Sequence, residues 1–187
     1  MAFFAGQKLR AADLNTSVPI RIGSQILTSS QGSITIPVPA STTVGLNALQ
    51  VMWQARSDTA AAAINFLLRF NGDTANHYLW QRAEANNTTQ TDSNSGGLVG
   101  FIQIGTIPAA TATANFFGTG FSILSNPASA VAYKSVSGHA TACITSTNMY
   151  TGSYGGLWQS TAAVTSVTVL ALTGNLVAGS GLSVYGL

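Results

Sequence analysis

The sequence predicts an all-β protein: an antiparallel, jelly-roll-like β-sandwich behind an N-terminal arm that is extended or briefly helical. Three observations lead there. Apolar residues alternate with polar ones at period two in one segment after another, the mark of strands with one buried face. Gly, Asn, Ser or Pro stands at the joints between these segments. No long helix is read beyond residue 30. About nine or ten such strands suit a sandwich or jelly roll. The lack of a fixed-period repeat argues against a propeller or β-helix. The expected division is an attachment arm over residues 1–30 and one sandwich domain over 31–187.

Taken in order, residues 9–14 hold good helix formers with Leu9 and Leu14 at the ends, enough for a turn or two closed by Asn15 and Thr16. Phe3 and Phe4 precede them on a segment too short to bury them itself. A tail folded back onto its own domain and an arm docked on a neighbouring chain are both open readings. Ile34 and Ile36 alternate with polar residues before Pro37 and Pro39, which suit a strand end or edge. Segment 46–56 sets Leu49, Val51 and Trp53 on one face and Gln50, Met52 and Gln54 on the other. Ile64, Phe66, Leu68 and Phe70 make the cleanest alternation in the chain. Asn71-Gly72 follows as a hairpin signal, with a returning strand over 77–82. Residues 83–97 read as a long polar loop without apolar anchors. Further strands are expected at 98–104, 114–124, 130–136, 139–145, 163–172 and 176–185, the last two joined through Thr173-Gly174-Asn175.

Charge narrows the function. Of 187 residues only 6% are charged, against about a quarter in ordinary soluble domains. Hydroxyls and amides replace them, with 22 Thr, 20 Ser and 12 Asn. Lys8, Arg10, Asp13 and Arg21 place the whole net charge of +2 at the N-terminus, and beyond Asp92 only Lys134 is charged. Three cations in a short arm are too few for a phosphate-binding face, so no nucleic-acid partner is expected. No apolar run is long and pure enough for a membrane helix, and no secretory signal is visible, so folding in a cytoplasm is the expectation. The single cysteine, Cys143, excludes an internal disulfide and a four-cysteine zinc site, and it reads as a small buried hydrophobe.

Catalytic chemistry finds little to work with. His77 and His139 are the only imidazoles, and His139 lies about 13 Å along a strand from Cys143, too far for a dyad. No nucleophile elbow, phosphate-cradling glycine loop, dinucleotide fingerprint or zinc-binding helix motif occurs. Asp73 with Asn71 and Asn76 is at most a fragment of a calcium site. Arg56, Asp58, Arg69 and Asp73 form the one charged constellation, read as local Arg–carboxylate contacts or Asp caps that brace turns. No enzyme activity, cofactor or metal is expected. A free lectin or carbohydrate-active enzyme is disfavoured because the acids are few and scattered.

Segments spread over the whole chain carry a family likeness. The opening Gly6-Gln7-Lys8-Leu9-Arg10-Ala11-Ala12-Asp13-Leu14-Asn15 resembles the N-terminal arm of many tailed-bacteriophage virion proteins. Gln54, Arg56 and Asp58, followed by Arg69-Phe70-Asn71-Gly72-Asp73-Thr74, Tyr78 and Trp80, are similar to a recurring element of phage head-decoration, neck and tail-appendage proteins. The ending Ser183-Val184-Tyr185-Gly186-Leu187 resembles that of the same group. The resemblance implies a structural virion protein, assembled in the host bacterial cytoplasm and commonly a homo-oligomer, with no catalytic residues. A capsid decoration or cement protein, expected as a trimer, would attach to the major capsid protein through Phe3, Phe4, Lys8, Leu9, Arg10 and Leu14. The alternative is a minor tail or receptor-binding appendage whose loops touch host glycans. Tyr150, Tyr154 and Trp158, in a glycine-rich stretch, are its candidate ligand-contacting aromatics, with Trp80 beside them.

Overall fold

The structure is a computed structural model that describes residues 19–40 and 45–187. It contains β1 (Ile20–Ile26), β2 (Ser33–Pro37), β3 (Ala48–Ala55), β4 (Ala63–Phe70), β5 (Tyr78–Asn86) and β6 (Thr89–Asn94). These are followed by β7 (Ile102–Pro108), β8 (Gly118–Ser125), β9 (Lys134–Thr145), β10 (Asn148–Trp158), β11 (Ser166–Ala171) and β12 (Gly181–Gly186). They build two antiparallel sheets: an eight-stranded one in the order β1-β12-β3-β8-β9-β10-β5-β6, and a four-stranded one in the order β2-β11-β4-β7.

The pairing is nested. β1 pairs with β12, β2 with β11, β3 with β8 and β4 with β7, so eight strands behave as one long hairpin folded over itself. That is the jelly-roll arrangement, and the sandwich expected from the sequence is the one observed. Two inserted hairpins complete the molecule. β5–β6 lies between β4 and β7 and β9–β10 between β8 and β11, and β10 pairs with β5. These four strands extend one sheet well beyond its partner.

The core follows the alternation. Leu49, Val51, Trp53 and Ala55 of β3 face Phe66, Leu68 and Phe70 of β4, joined by Ile34 and Ile36 of β2 and Val167 and Val169 of β11. Trp53 sits at the centre, its ring 4.5 Å from that of Phe66. Two glycines make room for it. A Cβ at Gly105 of β7 or Gly120 of β8 would stand 2.7 or 2.5 Å from the indole, which explains glycine inside strands that otherwise disfavour it. All seven residues of β7 are buried, because the inserted strands cover it where the four-stranded sheet ends.

Several expectations change. The stretch 83–97 is no loop: β5 runs to Asn86, Asn87 turns the chain with φ 51°, and β6 returns to Asn94. β6 is an edge strand on the overhang and buries no face, so it has no apolar period to be read. Segments 130–136 and 139–145 merge into β9 across Gly138, whose missing Cβ leaves space for the Phe121 carbonyl. β1 and β10, which no expected segment covered, bring the strands among the described residues to twelve instead of nine or ten. Asn71 and Gly72 have φ of 55° and 66°, and the Asp73 N–H donates to the Phe70 carbonyl at 2.9 Å, the predicted turn chemistry. Yet β4 and β5 belong to different sheets, so this turn is a corner of the sandwich and not a hairpin. The turn at 173–175 likewise carries the chain from one sheet to the other. β1 pairs along β12, so residues 20–26, which the expected arm includes, form part of the eight-stranded sheet. The helical turn expected at 9–14 lies outside the described residues.

Candidate functional site

The outer face of the eight-stranded sheet is the broadest surface the fold creates. A register row crosses it from edge to edge: Ser24, Ser183, Met52 and Phe121 continue into His139, Ser153, Ala83 and Asp92, each opposite the next. Met52 is 45% and Phe121 40% exposed. Among the described residues the only acidic or basic side chains on these outward positions besides His139 are Arg21 on β1 and Asp92 on β6, at opposite edges. The sequence-wide scarcity of charge thus becomes a continuous near-neutral face.

Within the inserted half of that face lies an open groove of about 740 Å³. Its floor is made where β5 and β10 present Gln81, Ala83, Ser153 and Gly155. Phe121 and His139 flank it on one side, Gln90 and Asp92 on the other. A second depression of about 560 Å³ continues from it past Gln81 and Gly155. The imidazole Nε2 of His139 lies 3.1 Å from the Thr151 hydroxyl, which is itself 3.2 Å from that of Thr141. Those contacts fix the ring on the sheet.

The opposite side of the same strands holds a buried polar clasp. Tyr154, 4% exposed, donates its hydroxyl to Glu84. The Thr106 hydroxyl donates to the same carboxylate oxygen at 2.7 Å, and the Arg82 guanidinium lies 3.4 Å from the other. Burial pushes the Tyr154 phenol above its ordinary value, and the Glu84 carboxylate reinforces the shift. Since Thr106 belongs to β7 and Glu84 to β5, the clasp ties the inserted hairpins to the jelly roll.

This geometry corrects the aromatic candidates. Tyr154 and Trp158 point inward and are buried, and Tyr150 is half-buried with its hydroxyl accepting from Asn86 Nδ2 at 3.0 Å. Trp158 packs on Phe70 and Tyr78 and donates its indole N–H to Asp73 at 2.8 Å. Trp80 packs against the core. The glycines between them do not form an exposed loop. A Cβ at Gly152 would press on the β5 backbone and one at Gly156 on Ile102 of β7, so they permit close packing. Buried, the rings of Tyr154 and Trp158 are not free to stack on a sugar, while the half-buried Trp80 lines the second depression. Phe3, Phe4, Lys8, Leu9, Arg10 and Leu14 lie outside the described residues.

The charged constellation braces turns, without Arg–carboxylate pairs among its four members. Arg56 donates to the carbonyls of Ala112, Thr113 and Phe116 at 2.7–3.1 Å, and Arg69 to that of Gly100 at 2.8 Å. Asp58 accepts from the Asn175 backbone and side chain at 2.7 and 3.1 Å, bonds that hold its carboxyl below the usual value. Lys134, fully buried, donates to three carbonyls, of Ser129, Ala132 and Ser160. Cys143 is free and half-buried on the outward side of β9, not in the core. Among the described residues no group of three His, Cys, Asp or Glu could hold a metal ion.

Asp73 supplies a pH test. Burial pushes its carboxyl up, but hydrogen bonds from Trp158, His77 and the Ala75 N–H outweigh this and leave it below the usual value. A depressed folded pKa contributes stability above the unfolded value near 3.9 and loses it as pH falls. The stability gap between wild type and Asp73→Asn should therefore shrink between about pH 6 and about pH 2. Urea titrations at the two pH values measure it, and an unchanged gap contradicts the assignment.

Neither a family model, a curated protein nor a solved structure gives a significant match to the chain. Fold and site define a jelly-roll sandwich with one overextended, near-neutral sheet face bearing an open groove.

Proposed function

We propose that the protein is a non-enzymatic structural component of a tailed-phage particle, a capsid decoration or cement protein held by its N-terminal arm. The observation that carries this reading is the outer sheet face. Eight strands at about 4.8 Å spacing make it about 34 Å wide, and its near-absence of charge leaves little long-range repulsion between identical copies packed side by side. Jelly rolls recur among viral capsid proteins, which is an analogy of fold only. The family likeness of the arm and of the chain's ending points the same way. A trimer about a symmetry axis, seated on the major capsid protein, is the proposed assembly.

Deleting residues 1–18 stops short of β1 and should leave the sandwich folded while abolishing attachment to purified particles. Undiminished binding of the shortened protein refutes the arm's role. A copy number in the hundreds per particle is expected; a few copies located at the tail would replace this reading with a receptor-binding appendage.

A further inference from the structure

We propose that the groove on the outer face of the inserted strands binds a neutral saccharide chain. Its shape comes from side-chain size. β5 and β10 expose small floor residues, Ala83, Ser153 and Gly155, while Phe121 and His139 rise on one side and Gln90 and Asp92 on the other. Three strand spacings separate β6 from β9, about 14 Å from wall to wall. The volume falls in the range of ligand sites, and the adjoining depression lengthens it into a trough suited to a chain rather than a single ring.

The chemistry selects the ligand. The side chains of Gln81, Gln90, Asp92, Ser137 and Ser153 line the groove and make no hydrogen bond within the described residues. They offer donors and acceptors side by side, the complement of adjacent sugar hydroxyls. Phe121 adds an exposed ring for an apolar sugar face. The lining holds one carboxylate, Asp92, and one guanidinium, Arg82, which is engaged with Glu84 and Asn65 at 3.4 and 3.5 Å; with its cation already paired, the groove disfavours phosphate, sulfate or sialic acid. A peptide gains no strand partner on this floor, because β5 and β10 are hydrogen-bonded on both edges. The clasp beneath, joining Glu84, Tyr154 and Thr106, holds the floor rigid, so little ordering is needed on binding.

The site does not depend on where the protein sits on a particle. Calorimetric titration of the full-length protein with glucose, mannose and N-acetylglucosamine trisaccharides, and with a sialylated trisaccharide, tests it. At least one neutral chain should bind, the sialylated one should not, and Phe121→Ala and Gln81→Ala should each weaken binding about tenfold. Both residues are exposed, and circular dichroism checks that the variants fold. Absence of binding by every neutral chain overturns the proposal. So does sialylated binding of equal strength, or neutral binding indifferent to both folded variants. The protein lacking residues 1–18 should bind the saccharide as the full chain does, which separates this site from the arm's attachment.

Discussion

Trp53→Ala is expected to destabilise the protein by about 3–5 kcal/mol. The indole is 3% exposed and lies between the two sheets against Phe66, with Gly105 and Gly120 shaped around it. Truncation removes its transfer free energy and leaves a cavity. Strands hydrogen-bonded on both sides cannot collapse into that space, because β3 is held by β12 and β8. Domains of this kind are typically stable by only about 5–15 kcal/mol, so the variant should lose a large share of its urea midpoint. A loss below about 1 kcal/mol would show that Trp53 is not the keystone of this core.

Glu84→Ala should cost nearly as much by a different route. It strips the acceptor from the Tyr154 and Thr106 hydroxyls and the partner from Arg82, in a site where Glu84 is 4% exposed. Removing one member of a buried pair costs about 3–5 kcal/mol; the Arg82 side chain keeps 17% of its exposure, which places the loss toward the lower end. Glu84→Gln, which keeps shape and an acceptor, should cost less. The damage should be local, with amides of β5, β6 and β10 exchanging faster than those of β2 and β11. Uniform acceleration across both sheets would mean that the clasp does not specifically dock the insertion. Alkali should act on the same place. The raised Tyr154 phenol contributes stability that is full below its ordinary value near 10 and is lost as pH rises beyond it.

How much of this was legible beforehand differs from residue to residue. The faces of β3 and β4 could be read directly, since Leu49, Val51 and Trp53, and Phe66, Leu68 and Phe70, follow a period set by the local pleat. The turn at Asn71-Gly72 was legible for the same reason: its positive φ values are a property of two residues. β6 was not, since Thr89–Asn94 buries nothing. β10 was not read as a strand: the glycines among Tyr150, Tyr154 and Trp158 suggested exposed rings, whereas pairing with β9 and β5 turns this face inward. The groove was hidden altogether, because Gln81, Asp92, Phe121, His139 and Ser153 come from five strands that only pairing brings together.

The sequence by itself determined most of the strand-forming segments, the faces of strands such as β3 and β4, the turn residues at Asn71-Gly72 and the scarcity of charge, because each depends on residues close along the chain. The tertiary structure decided which strands pair, which faces are inside and that one sheet outgrows the other. Those outcomes rest on contacts such as β1 with β12 and β2 with β11, between residues more than a hundred positions apart, and on the close fit of side chains like Trp53 over Gly105 and Gly120. No local pattern encodes that fit, since it exists only once both sheets have closed on each other.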